Sequence, residues 1–134
     1  MTLYLDSSAL IKRYIREPGT REVARLLELD VRWVAANHGY TEVAINLRRR
    51  LVEADVGPAA SLFEEDWARI LVVDVDDQLC HRAGDLGVEH GLQTLDALHL
   101  AAAERAGGPE LTFVTFDTRL AGAARALGFP VAGV

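Results

Sequence analysis

Apolar residues follow one another in short runs at several points of the chain, and such runs predict buried β-strands. We expect strands at Thr2 to Leu5, Arg32 to Ala36, Leu71 to Val75, Leu111 to Thr115 and, as a last edge strand, from Pro130-Val131. Between them, apolar residues recur every three or four positions, which is typical of helices that bury one face. Strands that alternate with helices favour a parallel sheet covered on both faces, so we predict an α/β fold.

Capping residues, glycines and prolines set the predicted ends of these helices. Ser7, Thr20 and Thr94 are candidate N-caps, and Gly57-Pro58 predicts a restart of the chain after a long helix. The predicted helices are Ser8 to Ile15, Arg21 to Leu29, His38 to Ala54, one that carries the apolar stripe from Ala59 to Ile70, Asp76 to His90, Leu95 to Ala106 and Thr118 to Leu127. No linker, repeat or low-complexity segment interrupts the pattern, so we expect residues 1–134 to form one domain.

Composition adds a prediction about location. No basic and apolar leader precedes the first strand, and no apolar run is long enough to span a bilayer, so we expect no membrane association. The single cysteine, Cys80, cannot form an internal disulfide, which fits a reducing cytoplasm. No partner spacing supports a nucleophilic role for Cys80, and we interpret it as a small buried residue on a helix face.

Charge argues against one mode of binding and leaves another open. A net charge of −6 is not that of a protein that binds nucleic acid through a broad basic surface. The basic residues nevertheless cluster, as Lys12-Arg13 with Arg16 and as Arg48-Arg49-Arg50. Arginine presents a planar fork suited to phosphate, so Lys12, Arg13, Arg48 and Arg49 are candidate RNA contacts. The alternative, that both clusters are solvated helix faces, stays open.

Four acidic residues share a position relative to the predicted elements. Asp6 and Asp117 come just after strands, while Asp96 and Glu42 lie near the starts of helices. In a doubly wound sheet, the C-terminal ends of strands and the N-terminal ends of helices lie at the same edge. We therefore predict that the four carboxylates meet in one cleft.

Such a cluster requires a counter-charge. Two like charges about 4 Å apart repel each other by roughly 4 kcal/mol at an effective dielectric near 20. Ligands that are all oxygen select hard cations, so we expect Mg²⁺ or Mn²⁺ rather than zinc. One or two such ions can polarise a phosphodiester and activate a water molecule as the nucleophile.

The histidines offer no competing motif in the sequence. His38, His81, His90 and His99 show no paired-ligand spacing. His99 lies one turn after Asp96 and could touch the site, but we favour the interpretation that it is a polar residue satisfied on its helix.

Four segments resemble the PIN domain and, within it, the VapC-type toxins of bacterial and archaeal toxin–antitoxin pairs. The segments are Tyr4-Leu5-Asp6-Ser7-Ser8-Ala9-Leu10, Thr41-Glu42-Val43, Leu95-Asp96-Ala97-Leu98-His99-Leu100-Ala101 and Val114-Thr115-Phe116-Asp117-Thr118-Arg119-Leu120. The resemblance covers nearly the whole chain. It implies a three-layer α/β/α sandwich with a central sheet of about five parallel strands.

The resemblance also implies a function and partners. The implied activity is that of a metal-dependent endoribonuclease, with Asp6, Glu42, Asp96 and Asp117 as catalytic metal ligands. The hydroxyls of Ser7 and Thr115 fall where the family places groups that hydrogen-bond these acids or the metal-bound water. A small antitoxin is the implied inhibitor and a homodimer the implied assembly, with the helix that carries Ala59 to Trp67 as its candidate interface.

Two other uses of a strand-end aspartate fail on residues in this sequence. A haloacid-dehalogenase-type phosphatase needs a second aspartate two residues after Asp6, where Ser8 stands. A response-regulator receiver needs a lysine after a late strand, and the only lysine is Lys12. The remaining alternative is a PIN-like scaffold that binds RNA or a protein partner without cutting.

Overall fold

A computed structural model describes residues 1–29 and 31–134 of the chain. In this part of the chain, five strands form one sheet: β1 (Thr2–Leu5), β2 (Arg32–Ala36), β3 (Leu71–Val73), β4 (Thr112–Thr115) and β5 (Val131–Gly133). The strand order is β3-β2-β1-β4-β5, and every neighbouring pair is parallel. The predicted α/β fold with a parallel sheet of about five strands is confirmed, and β5 is an edge strand as expected.

Seven α-helices cover the two faces of this sheet in the described residues. They are α1 (Ser7–Tyr14), α2 (Thr20–Glu28), α3 (Asn37–Arg50), α4 (Glu53–Trp67), α5 (Asp77–His90), α6 (Thr94–Ala106) and α7 (Thr118–Ala126), and a 3₁₀ turn (Gly108–Glu110) precedes β4. The helices of one face lie early in the chain and those of the other face lie late.

Side chains that alternate along the strands divide the interior into two cores. Leu3 and Leu5 of β1 pack with α1, α3 and α4, whereas Tyr4 packs on the opposite face with α5, α6 and α7. Successive residues of a strand point to opposite faces, so β1 contributes to both layers of packing. The result is the three-layer α/β/α sandwich that the sequence resemblance implied.

The predicted boundary between the third and fourth helices is wrong. Helix α3 ends at Arg50, Leu51 is extended, and α4 begins at Glu53, ahead of Gly57-Pro58. Glu53 and Asp55 place negative charge in the first turn of α4, where the helix dipole favours it. Pro58 lies inside this helix, past its first turn, and has no N–H to donate to the carbonyl of Ala54.

The predicted N-caps are also wrong. Ser7, Thr20 and Thr94 are each the first residue inside a helix, whereas the capping positions belong to Asp6, Gly19 and Gln93. Aspartate, rather than serine or threonine, supplies the side-chain caps of α1, α5 and α7. Aspartate is as good an N-cap as serine, so the sequence alone could not choose between adjacent candidates.

Two further findings concern the chain surface. Cys80 lies on α5 and is exposed, so its interpretation as a buried residue is wrong. None of the helices described here combines the length and apolar character needed to cross a bilayer.

Candidate metal centre

Asp6 follows β1 directly and is held from three directions. One carboxylate oxygen, Oδ1, accepts hydrogen bonds from the Ser8 hydroxyl at 2.7 Å and from the backbone N–H of Ala9 at 2.9 Å. The other, Oδ2, accepts from the Thr115 hydroxyl at 2.5 Å. Only 3% of Asp6 is exposed. Burial raises the pKa of this carboxyl, and the opposing influences of His99 and the hydrogen bonds do not fully offset it.

Ser7 and Ser8 serve different carboxylates. The Ser7 hydroxyl donates to Oε1 of Glu42 at 2.5 Å, while Ser8 supports Asp6. Ser7 therefore contacts Glu42 rather than its neighbour Asp6, and its role in supporting the acids remains a prediction. The reason is the start of α1 at Ser7, because consecutive helical residues point in different directions.

Glu42 also contacts two histidines that the sequence interpretation set aside. The buried His99 lies with Nε2 at 2.8 Å from Oε1 of Glu42, and Nδ1 at 2.8 Å from the Tyr4 hydroxyl. His38 lies one turn before Glu42 on α3, with Nε2 at 3.6 Å from the same oxygen. The interpretation of His99 as a satisfied polar residue is thus incomplete, since His99 contacts a site residue.

These contacts set the protonation states of Glu42 and His38. Burial acts to raise the pKa of Glu42, but hydrogen bonds from His99 and Ser7 outweigh it and hold that pKa below its ordinary value. Burial together with the neighbouring His99 lowers the pKa of His38 to about 4. Near neutral pH, Glu42 is therefore ionised and His38 is uncharged.

Asp96 and Asp117 complete the cluster from the other side. Asp96 is half-buried in the first turn of α6 and lines an open pocket together with Glu42. Asp117 is exposed and caps α7 by accepting from the backbone N–H of Leu120 at 2.9 Å. Burial and the negative charges of Asp117, Asp6 and Glu42 raise the pKa of Asp96. The other three predicted acids therefore lie within electrostatic range of Asp96, although in the described residues no three of the four acids bring ligand atoms within 4.8 Å of one another.

The donor set fits a divalent cation. In the described residues no basic side chain is hydrogen-bonded to Asp6, Asp96 or Asp117, so their negative charge is not compensated by such a bond. Burial and the neighbouring acids together raise the pKa of Asp96. A hard cation with oxygen ligands would relieve that repulsion.

The basic residues considered for RNA contact lie in two different environments. The ammonium of Lys12 is 2.8 Å from Oε1 of Glu17, and Arg13 makes two hydrogen bonds to Asp66, at 2.5 Å and 3.1 Å. Both would have to leave these ion pairs to contact RNA. Arg48 and Arg49 are exposed and form no ion pair with any acid in the part of the chain described. RNA contact by these four residues remains a prediction.

A doubly wound parallel sheet with acidic residues gathered at the C-terminal ends of its strands defines an α/β protein with a candidate divalent-metal centre at the sheet edge. Residues 3–126 match the family model described as the PIN domain. The chain belongs to the PIN domain family.

Curated relatives match over nearly the whole chain. Ribonuclease VapC46 of Mycobacterium tuberculosis is 34% identical over 129 residues, which cover 96% of this chain and 95% of the relative. Ribonuclease VapC45 of the same species is 30% identical over 135 residues, with 97% and 94% covered. The family resemblance seen in the sequence is thereby confirmed.

Solved structures share the fold. The crystal structure of Mycobacterium tuberculosis VapC20, described as a toxin that cleaves the sarcin–ricin loop, superimposes with a TM-score of 0.76 at 20% identity and covers 98% of both chains. A toxin–antitoxin complex from Klebsiella pneumoniae gives a TM-score of 0.68 at 18% identity, with 87% of both chains covered. At these identities, the likeness concerns the fold.

Proposed function

We propose that this chain is a metal-dependent endoribonuclease that acts as the toxin of a type II toxin–antitoxin pair. The observation that carries the proposal is the convergence of Asp6, Glu42 and Asp117 on Asp96, whose pKa is raised by burial and by the negative charges of these three acids. Relatives named ribonuclease VapC at 30% and 34% identity support the assignment to RNA. We take residues 1–134 as one PIN domain that works in the cytoplasm.

The four carboxylates have the role of holding Mg²⁺ or Mn²⁺. A bound ion would supply Lewis acidity at this site, for the phosphodiester, for a water molecule as nucleophile and for the leaving oxygen. Thr115 and Ser8 fix the Asp6 carboxylate in one orientation, and Ser7 with His99 does the same for Glu42. This preorganisation matters because ligands already in place need not lose freedom when the ion binds.

Substrate and protein partners follow from charge and exposure. Arg48 and Arg49 on α3 are the cations that we assign to the RNA backbone, because neither is engaged in an ion pair in the described residues. The net charge of −6 and the acidic cleft favour a small antitoxin that inserts a cationic segment. Neighbours solved as toxin–antitoxin complexes support such a partner.

We assign the homodimer interface to α4. The side chain of Leu62 on this helix is 37% exposed beside the partly buried Ala59 and Trp67. A second copy packed on this face would cover apolar surface that α4 leaves open to solvent.

An in vitro cleavage assay tests the proposed activity. Purified protein is incubated with RNA in Mg²⁺, in Mn²⁺ and in excess chelator, and the variants Asp96→Asn and Asp85→Asn are compared. Asp85 is an exposed acid on α5 outside the cluster, so it controls for the removal of one charge. We expect cleavage by the wild type and Asp85→Asn only when metal is present, and none by Asp96→Asn.

Two outcomes would count against the proposal. Cleavage that persists in chelator would refute the metal mechanism. RNA affinity without any metal-dependent turnover would favour the alternative of a scaffold that binds without cutting.

A further inference from the structure

Two histidines and a glutamate form a ligand cluster beside the carboxylates. One potential ligand atom each from His38, Glu42 and His99 lies within 4.8 Å of the other two. His38 and Glu42 are four residues apart on α3, so they share a helix face, and α6 brings His99 against them. The ring centroids of the two histidines are 4.2 Å apart.

We propose that His38, Glu42 and His99 form a binding site for a divalent transition metal ion of the Zn²⁺ class. Two imidazoles and one carboxylate are a ligand set found in zinc sites that keep a fourth position open. Imidazole suits Zn²⁺ and its neighbours in the transition series, whereas Mg²⁺ prefers oxygen ligands. This site therefore differs in chemistry from the all-carboxylate cluster, with which it shares only Glu42.

The distances are compatible with one ion between the three side chains. In a tetrahedral zinc site with bonds near 2.0–2.1 Å, neighbouring ligand atoms lie roughly 3.3 Å apart. The Glu42 oxygen Oε1 is 2.8 Å from Nε2 of His99 and 3.6 Å from Nε2 of His38. Small adjustments of side chains would bring both separations to the required value.

The surroundings of His99 favour coordination through Nε2. Its other ring nitrogen, Nδ1, is 2.8 Å from the hydroxyl of Tyr4, which is fully buried and stacks on Phe113. Without a metal, Nε2 donates to Glu42, and coordination requires that it give up this proton. A hydroxyl can accept a hydrogen bond from Nδ1–H as well as donate one, so Tyr4 can support the tautomer in which Nε2 binds a metal. Metal-binding histidines commonly have such a partner on the second nitrogen.

His38 is held less firmly and has an unused ring nitrogen. Its Nε2 is 3.3 Å from the carbonyl oxygen of Leu95, a long hydrogen bond, and its Nδ1 is buried without a hydrogen-bond partner in the described residues. The His38 side chain is 15% exposed, so the cluster is open to solvent at this end. A metal ion could enter there, and His38 could turn towards it at little cost.

Calorimetric titration of Zn²⁺ tests the site in a matched set of proteins. The wild type is compared with His38→Gln and with His81→Gln, where His81 is an exposed histidine on α5 far from the cluster in sequence. We expect His38→Gln to bind Zn²⁺ at least about tenfold more weakly, since even changes in outer partners of a metal ligand cost that much. His81→Gln should bind as the wild type does.

A second measurement on the wild type removes any ambiguity from misfolding. In ¹H–¹⁵N spectra of the histidine rings, Zn²⁺ should shift the ring nitrogens of His38 and His99 but not those of His81. Equal Zn²⁺ affinity in His38→Gln and the wild type, or unmoved ring signals, would overturn the proposal. Neither experiment contains RNA, so its outcome is independent of ribonuclease activity.

Discussion

The hydroxyl of Thr115 provides a direct test of how the fold holds Asp6. Thr115 is fully buried at the end of β4, donates to Oδ2 of Asp6 and accepts the backbone N–H of Asp117 at 3.1 Å. Thr115→Val keeps the shape of the side chain and removes both hydrogen bonds. A hydrogen bond to a charged group contributes about 1.5–3 kcal/mol, so we expect unfolding at neutral pH to become easier by about that amount.

The effect should depend on pH with a definite sign. Burial raises the pKa of Asp6 in the folded state, and the removal of a donor raises it further because the ionised form then has one partner fewer. A raised pKa in the folded state means that the folded protein, compared with the unfolded chain, favours the protonated carboxyl over the ionised one. The unfolded carboxyl titrates alike in both proteins, so this part of the destabilisation is full above the folded pKa of the variant and is lost as the pH falls through the folded pKa of the wild type.

Urea unfolding at neutral and acidic pH measures this prediction. Thr112→Val is the matched control, since Thr112 lies on the same strand and makes no side-chain hydrogen bond to Asp6. If Thr115→Val is no less stable than Thr112→Val at neutral pH, or if its deficit grows as the pH falls, the assigned role of the hydroxyl is wrong.

Three other substitutions test separate contacts. Asp66→Asn should lower the free energy of unfolding by about 1.5–3 kcal/mol in urea titrations, because the buried Asp66 carboxylate accepts hydrogen bonds from the partly exposed Arg13 and from Tyr14; an unchanged midpoint would contradict this. The double change Arg48→Ala and Arg49→Ala should weaken RNA binding in anisotropy titrations. The slope of log K against log salt should fall by about 1.4, which is about 0.7 for each phosphate that is no longer neutralised. An unchanged slope would favour the alternative that these arginines are a solvated helix face. Leu62→Glu on α4 should convert a dimer to a monomer in light scattering, and wild-type monomers would refute the assigned interface.

Local patterns were sufficient to predict the position of Asp6. An apolar run that ends in an acid predicts a strand tip, and the structure places Asp6 directly after β1. Asp96 in the first turn of α6 and Asp117 just after β4 follow from the same alternation of elements. The parallel sheet then brings them to one edge, because all of its strands run in the same direction.

Contacts between distant residues could not be predicted in the same way. His99 and Glu42 are 57 residues apart, and their hydrogen bond depends on how α6 packs against the start of α3. The four-residue spacing of His38 and Glu42 was visible in the sequence, but it indicates a ligand cluster only when the fold brings His99 next to both residues. The choice of carboxylate that Ser7 contacts has a similar cause, since it depends on which residue is the last in extended conformation before α1.

The break between α3 and α4 shows a limit of a different kind. The apolar spacing of Val43, Leu47 and Leu51 predicts a helix that continues past Arg50, yet Leu51 is extended and closes α3. Glu53 and Asp55 favour a new start through the helix dipole, which adds only a few tenths of a kcal/mol each. Packing of α4 against α3 decides the boundary, and this is not encoded in any short segment.

Binding of Mn²⁺ to the carboxylate cluster would show most directly whether the four acids form a metal centre. Electron paramagnetic resonance counts free and bound Mn²⁺ in the wild type, in Asp96→Asn and in the control Asp85→Asn, with Mg²⁺ added as competitor. We expect the wild type and Asp85→Asn to bind Mn²⁺ that Mg²⁺ displaces, and Asp96→Asn to bind it markedly more weakly. Equal affinity in all three proteins would contradict a metal centre built from these four acids.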